Sequence, residues 1–149
     1  MRFVVTGGAG FVGSHLVKLL VREGHQVKVI DNLHTGKMGN LEEVIADIEF
    51  CELDIQDFDS IEKELRDIDG IFHQAALTVV QDSFDYTQEY HDVNVKGTEN
   101  IFKIAQKNNL KYDKGGSLAE KGNLIFPLLE KFQAVDFYFK DPPKSLGIE

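Results

Sequence analysis

The 149-residue chain has a single cysteine, Cys51, so an internal disulfide is excluded, and its five histidines do not join that thiol at zinc-ligand spacings. A reducing compartment suits such a chain. Cations are scarce as well: 16 Lys and Arg face 25 Asp and Glu, and the formal charge of −9 argues against a surface that tracks nucleic-acid phosphates. No apolar run approaches the ~18 residues of a membrane span, and the N-terminus passes from Met1 into Phe3-Val4-Val5 without a signal-peptide layout. The expected setting is cytoplasmic, with no membrane, nucleic acid or metal as partner. Internal repeats and low-complexity tracts are also missing. What is present, 42% hydrophobic and 28% charged residues, is the balance of one ordinary globular domain. The acidity is concentrated in residues 31–100, where four cations meet eighteen carboxylates.

The apolar pattern alternates between strand and helix. Residues 2–6 form a short β-branched run ending in glycines, after which Val12, Leu16, Leu19 and Leu20 keep helical spacing until Glu23-Gly24. Gln26 to Ile30 reads as a second strand, closing a βαβ unit of about 30 residues. Asn40 with Glu43 resembles a capping box, which predicts a short helix over Leu41 to Asp47 before a third strand, Ile48 to Leu53. Asp57 or Asp59 can cap a helix carrying Ile61, Leu65 and Ile68, followed by a fourth strand, Ile71 to Ala75. Residues 93–108 are helical by pattern, with Ile101, Ile104 and Ala105 inward. The series predicts an α/β fold, a Rossmann-like doubly wound parallel sheet.

From Tyr112 the pattern changes. Lys114-Gly115-Gly116 breaks it and no β-branched strand follows, so the sheet is expected to end after about four strands. Ser117 with Glu120, then Leu124, Leu128, Leu129, Phe132 and Val135, predict a helical C-terminal segment that Pro142-Pro143 ends. The division expected is a Rossmann-like domain over residues 1–111 and a helical tail over 112–149.

Gly7-Gly8-Ala9-Gly10-Phe11-Val12-Gly13 lies between the first strand and the first helix. There the first glycine permits a tight turn, the central one lets a pyrophosphate approach the backbone, and the last lets helix pack on strand. Helix N-terminal amides then hold phosphate charge without a lysine. Asp31, eighteen residues beyond Gly13 at the end of the second strand, can accept hydrogen bonds from both ribose hydroxyls and repels a 2′-phosphate, which favours NAD over NADP. Lys37 and Arg2 are the cations near enough to weaken that preference. Asp54 either meets adenine or opens a helix, and Asn94 either binds cofactor or caps. His73, in an apolar strand, reads as a satisfied core histidine. His34 and His91 read as surface residues.

These residues resemble the extended short-chain dehydrogenase/reductase family, and within it the nucleotide-sugar epimerases and dehydratases of the UDP-glucose 4-epimerase type. Over residues 1–111 the carriers are Val5 to Ser14, Asp31-Asn32-Leu33 with Gly36-Lys37, Asp54-Ile55, His73-Gln74-Ala75-Ala76, and Tyr90 to Thr98. The resemblance implies NAD as cofactor. It places Gly7, Gly10, Phe11 and Val12 on the pyrophosphate and Asp31 and Asn32 on the adenosine ribose. Asp54 and Ile55 would border adenine, Ala75 and Ala76 would line the path to nicotinamide, and Asn94 would lie nearby, with Gly13 and Lys37 completing the cofactor set. The family's catalytic Tyr-x-x-x-Lys, in which lysine lowers the phenol pKa, has no counterpart. Tyr86, Tyr90, Tyr112 and Tyr138 are followed at the fourth position by Tyr90, Asn94, Gly116 and Pro142. No catalytic residue is therefore assigned, and a counterpart of the sugar-binding C-terminal domain is also absent.

Residues 112–149 resemble a fragment of anhydro-N-acetylmuramic acid kinases, carried by Tyr112 to Ser117, Leu128-Leu129 and Pro142 to Gly147. Together the two resemblances imply a chimera. A bare sheet edge and an exposed apolar face favour a homodimer. Three functions stay open: an NAD-binding module without turnover, an NAD-dependent nucleotide-sugar epimerase or dehydratase completed by another chain, and a structural chimera with no ligand.

Overall fold

The computed structural model describes residues 1–114 and 136–139. Its elements run β1 (Arg2–Thr6), α1 (Phe11–Arg22), β2 (Gln26–Asp31), a 3₁₀ stretch (Met38–Asp47), β3 (Ile48–Glu52), α2 (Phe58–Glu64) and β4 (Gly70–His73). There follow α3 (Val80–Asp85), α4 (Thr87–His91), a π turn (Asp92–Gly97), α5 (Thr98–Lys107), β5 (Lys111–Lys114) and β6 (Asp136–Phe139).

Four parallel strands form the framework, in the order β3-β2-β1-β4. β1 is apolar throughout its centre because both of its faces are covered, as a central parallel strand requires. Phe3 and Val5 point into one core with Val27, Val29, Phe72 and the Leu16-Val17-Leu20 stripe of α1. Val4 points into the other with Ile30, Ile71, Ile61 of α2 and Ile101 and Ile104 of α5. The period of two along β1 thus divides the molecule into two layers of helix on one sheet.

Local signals fix the ends of these elements. α1 stops where Gly24, at φ +80°, takes the left-handed conformation. Its N–H bonds Val21 O and the next amide, of His25, bonds Leu20 O, which closes a Schellman motif. Asp57 caps α2 by accepting from the Ser60 amide at 3.2 Å. The capping box expected at Asn40 and Glu43 does not form. The 3₁₀ stretch starts after Lys37, and Asn40 instead donates from Nδ2 to Ala9 O at 2.8 Å, tying the stretch to the glycine turn.

Beyond α5 the sheet continues. β6 pairs antiparallel with β4, and β5 pairs antiparallel with β6, giving the order β3-β2-β1-β4-β6-β5. The parallel sheet ends at four strands as expected, while two antiparallel strands extend it, and Asp136–Phe139 is strand where helix was expected to persist to Pro142. The Phe137-Tyr138-Phe139 run is a good strand former, and the open edge of β4 offers it a full ladder. Lys111 to Lys114 has no β-branched residue, which is why the pattern does not announce it. The edge on which the expectation of a homodimer rested is therefore paired within the chain. The predicted Ser117 cap, the Leu124 to Val135 spacing and the Pro142-Pro143 exit lie wholly or largely outside the described residues. Among the described residues no helix is long and apolar enough to cross a membrane.

Candidate functional site

A cleft of about 540 Å³ opens at the carboxyl ends of β1, β2 and β4. In an open parallel sheet this is the switch point, where the chain leaves β3 and returns on the far side of β1, so the strand-end loops diverge and leave a crevice. Gly7, Gly10, Phe11, Val12 and Gly13 form one wall, with Asp31 and Asn32 at one end, Asp54 and Ile55 beside them, and Ala75 and Ala76 opposite. All of these were expected from the sequence.

The glycines are there for different reasons. Gly7 sits at φ +67°, and a Cβ on it would come within 2.6 Å of the Ala75 amide nitrogen. At Gly13 a Cβ would lie 2.2 Å from Gly7 O and 2.8 Å from Gly8 Cα, so α1 can approach β1 only through a bare Cα. Gly10 differs, because its φ of −72° suits any residue and its missing Cβ would meet only Gly7 O, at 3.2 Å. What Gly10 leaves open is space in the cleft. It is also the N-cap of α1 and makes no side-chain cap, so the first-turn amides of Phe11, Val12 and Gly13 lack helical acceptors and offer an anion site. Among the described residues no Lys or Arg lines the cleft. Phosphate charge there would rest on amides and helix dipole, which fits the acidic composition.

Asp31 is buried, and its two carboxylate oxygens are already engaged. Oδ2 accepts from the Ala9 amide at 2.9 Å and Oδ1 from the Leu33 amide at 2.8 Å, so it ties the glycine turn to the exit of β2. An ionised carboxylate has about four acceptor positions, which leaves capacity for ribose hydroxyls. Asn32 donates from Nδ2 to Asp54 Oδ2 at 2.8 Å, while Asp54 Oδ1 accepts from the Gln56 amide at 2.8 Å. Asp54 borders the cleft and bonds the turn that leads to α2, whose N-cap is Asp57.

Two of the expected cofactor residues stand outside the lining. Lys37 is exposed and takes part through its backbone, donating to Ala9 O at 3.0 Å. Asn94, in the π turn, spends its amide on one backbone unit: Oδ1 accepts from the Leu77 amide at 2.8 Å and Nδ2 donates to Leu77 O at 2.9 Å. It holds the Leu77 peptide of the Gln74 to Thr78 loop instead of lining the cleft. Sequence reasoning missed Asn100, which donates to Ile55 O and Gln56 O, and Glu89 and Gln74 of the lining. Isolated amides and carboxylates, in helices or in a loop such as that of Gln74, carry no spacing signal.

Away from the cleft, Glu49, Cys51 and Glu64 bring ligand-type atoms within 4.8 Å of one another. An ammonium already stands among them, with Lys28 Nζ 3.0 Å from Glu49 and 2.6 Å from Glu64. Burial, with Glu64 beside it, pushes the Cys51 thiol pKa up, so this is a poor thiolate ligand.

Comparison with known proteins agrees with the geometry. The NAD dependent epimerase/dehydratase family model matches residues 3–126. UDP-N-acetyl-alpha-D-glucosaminuronate decarboxylase of Bacillus cytotoxicus is 37% identical over 110 residues, 74% of this chain and 34% of that protein. UDP-glucose 4-epimerase of Lactobacillus helveticus is 39% identical over 114 residues, 75% and 34% of the two chains. Among solved structures, the dTDP-glucose 4,6-dehydratase DesIV of Streptomyces venezuelae, with NAD and TYD bound, superposes at TM-score 0.69 and 36% identity over 72% of this chain and 36% of its own. Thermus thermophilus UDP-glucose 4-epimerase in complex with NAD gives 0.67 at 36% identity, covering 72% and 34%. The chain spans about a third of the length of these relatives.

Proposed function

The chain belongs to the NAD dependent epimerase/dehydratase family, and on that premise we propose that it is an NAD-binding module, the cofactor half of a nucleotide-sugar 4-epimerase or dehydratase. The observation that carries the reading is the unsatisfied first turn of α1 beside Gly10, in a cleft that no Lys or Arg among the described residues lines, with the Asp31 carboxylate nearby. The amides of Phe11, Val12 and Gly13 would hold the pyrophosphate. Asp31 takes the ribose hydroxyls with its remaining acceptor positions and disfavours a 2′-phosphate. Ala75 and Ala76, small and flat, leave room for the nicotinamide. Bound NAD supplies a hydride acceptor, and the nucleotide sugar is the substrate class that the family brings. No tyrosine of these 149 residues has a lysine four positions on, so the module holds the cofactor and turnover requires an acid–base pair from elsewhere.

Calorimetric titration of the chain with NAD and NADP, cleared of copurified nucleotide, tests this. NAD is expected to bind and NADP to bind more weakly, and NAD at one hundred times Kd should stabilise the fold by about 2.7 kcal/mol. Absence of both heat and thermal shift overturns the reading. Equal affinity for NADP removes the role given to Asp31. Asp31→Ala also releases the Ala9 and Leu33 amides, so its loss of binding counts only beside its melting curve. Sugar-dependent epimerase or dehydratase activity in the pure chain would contradict the claim that catalysis needs further groups.

A further inference from the structure

His73 lies at the end of β4, in register with Thr6 of β1, and both side chains are buried. Thr6 Oγ1 is 2.6 Å from His73 Nδ1, and His73 Nε2 is 3.0 Å from Thr98 Oγ1 at the start of α5. The same Thr6 hydroxyl accepts from two backbone amides of the cleft wall, Gln74 at 3.2 Å and Ala75 at 3.4 Å. Amides can only donate, so both of these contacts use acceptor positions of the hydroxyl. Its one hydrogen must then go to His73 Nδ1, which leaves that nitrogen unprotonated. The ring proton is on Nε2 and is donated to Thr98.

We infer that His73 is a positioning residue for the dinucleotide cleft: its neutral Nε2–H ring orients the Thr6 hydroxyl, which holds the Gln74–Ala75 backbone beneath the glycine turn. The reach of the device follows from distances already given. Ala75 is the residue whose amide nitrogen a Cβ on Gly7 would strike at 2.6 Å, so the turn and the opposite wall are in contact there. A hydroxyl that ceased to accept would free the Ala75 amide where its loop meets the glycine turn. Through Thr98 the same ring ties that point to α5, the helix that covers the second core. Gln74 has a second acceptor in Thr6 O at 3.0 Å, which makes Ala75 the sensitive reporter. The consequence for NAD rests on the reading of the cleft given above, whereas the tautomer and the amide do not.

Nitrogen-15 NMR of the imidazole, with amide hydrogen exchange on the same chain, tests the inference without any ligand. The expected spectrum shows His73 protonated on Nε2 alone at neutral pH. Thr6→Val should raise Ala75 exchange by at least about tenfold, the equivalent of one lost hydrogen bond, and change the His73 nitrogen shifts, while Val29 in β2 keeps its protection. Thr6→Ser, which retains the hydroxyl, should restore both. An Nδ1-protonated or charged ring at neutral pH overturns the inference, and so does unchanged Ala75 exchange in Thr6→Val. If Thr6→Val does not fold, the spectrum of the unsubstituted chain decides. A parallel NAD titration separates the two claims: lack of binding by the unsubstituted chain sinks the dinucleotide reading and leaves the tautomer and exchange results to stand or fall by themselves.

Discussion

The two walls of the cleft are built on opposite principles. On the α1 side, Gly7 and Gly13 let backbone touch backbone, and the shape follows from side chains that are not there. On the β4 side, the Gln74 to Thr78 loop is held by side chains, with Thr6 gripping two amides and Asn94 both polar groups of Leu77. A wall set by steric exclusion has no graded failure, because any Cβ collides with backbone that cannot move aside. A wall set by hydrogen bonds fails one bond at a time, at roughly 0.5–1.5 kcal/mol each.

Gly13→Ala is the strongest way to break that contrast. Its Cβ would stand 2.2 Å from a carbonyl oxygen and 2.8 Å from a Cα, both in the turn itself. A loss of more than about 3 kcal/mol, or failure to fold, is expected in urea denaturation. If the variant unfolds within about 1 kcal/mol of the parent, the turn is not fixed by packing.

Asn94→Ala should be milder. It removes both bonds to Leu77, in a partly buried place, and is expected to lower stability by about 1–2 kcal/mol. Asn94→Asp keeps an acceptor for the Leu77 amide but sets a carboxylate against the Leu77 carbonyl, so it should rescue little. Denaturation curves of the three chains check this, and full rescue by Asp would show that the amide bond to Leu77 O contributes nothing.

This contrast also explains what could be read from residues alone. The glycine turn, the four parallel strands and most of the cleft lining were legible, because spacing of glycine and of apolar residues maps directly onto backbone geometry. Asp31 was legible as a site but not as the tie between Ala9 and Leu33, since nothing in one sequence shows which amides a carboxylate will meet. Asn94 and Lys37 were expected in the cleft and serve it from behind, one by a side-chain amide and the other by a peptide group. β5 and β6 were illegible for a different reason. Their place depends on the vacant edge of β4, a property of the assembled sheet and not of Lys111 to Lys114.

The Lys28–Glu64 ion pair stands outside the cleft lining. Bonding to Lys28 holds the Glu64 carboxyl below its ordinary value of 4.5, so its stabilisation is present above that value and is lost as pH falls through the lower folded pKa. Burial alone would lower the Lys28 pKa, yet the bonds to Glu64 and Glu49 outweigh it and raise it above 10.5. That contribution is present below 10.5 and is lost as pH rises through the higher folded value. Stability from this pair should be flat through neutral pH and decline at both ends. With a third of the Glu64 side chain open to solvent at 33%, Glu64→Gln should cost only about 1 kcal/mol at pH 7. It should also flatten the acid limb, measured by urea denaturation between pH 3 and 8. An unchanged acid limb would assign the acid loss to other carboxylates.

Gly10→Ala should have the smallest effect on the fold and therefore sharpens the comparison most. Its backbone is extended at ψ 174°, and the new methyl would meet only Gly7 O at 3.2 Å, a contact relieved by a shift of tenths of an ångström. Stability should stay within about 1 kcal/mol of the parent. The methyl would nonetheless occupy the open space before the amides of Phe11, Val12 and Gly13, where a pyrophosphate has to come within about 3 Å of nitrogen. NAD affinity is thus expected to drop by more than about tenfold, or 1.4 kcal/mol, with an almost unchanged melting curve. Gly13→Ala would lose fold and ligand together, and Gly10→Ala the ligand alone. Were the two variants to behave alike, in either direction, the glycine turn would have one role and not two.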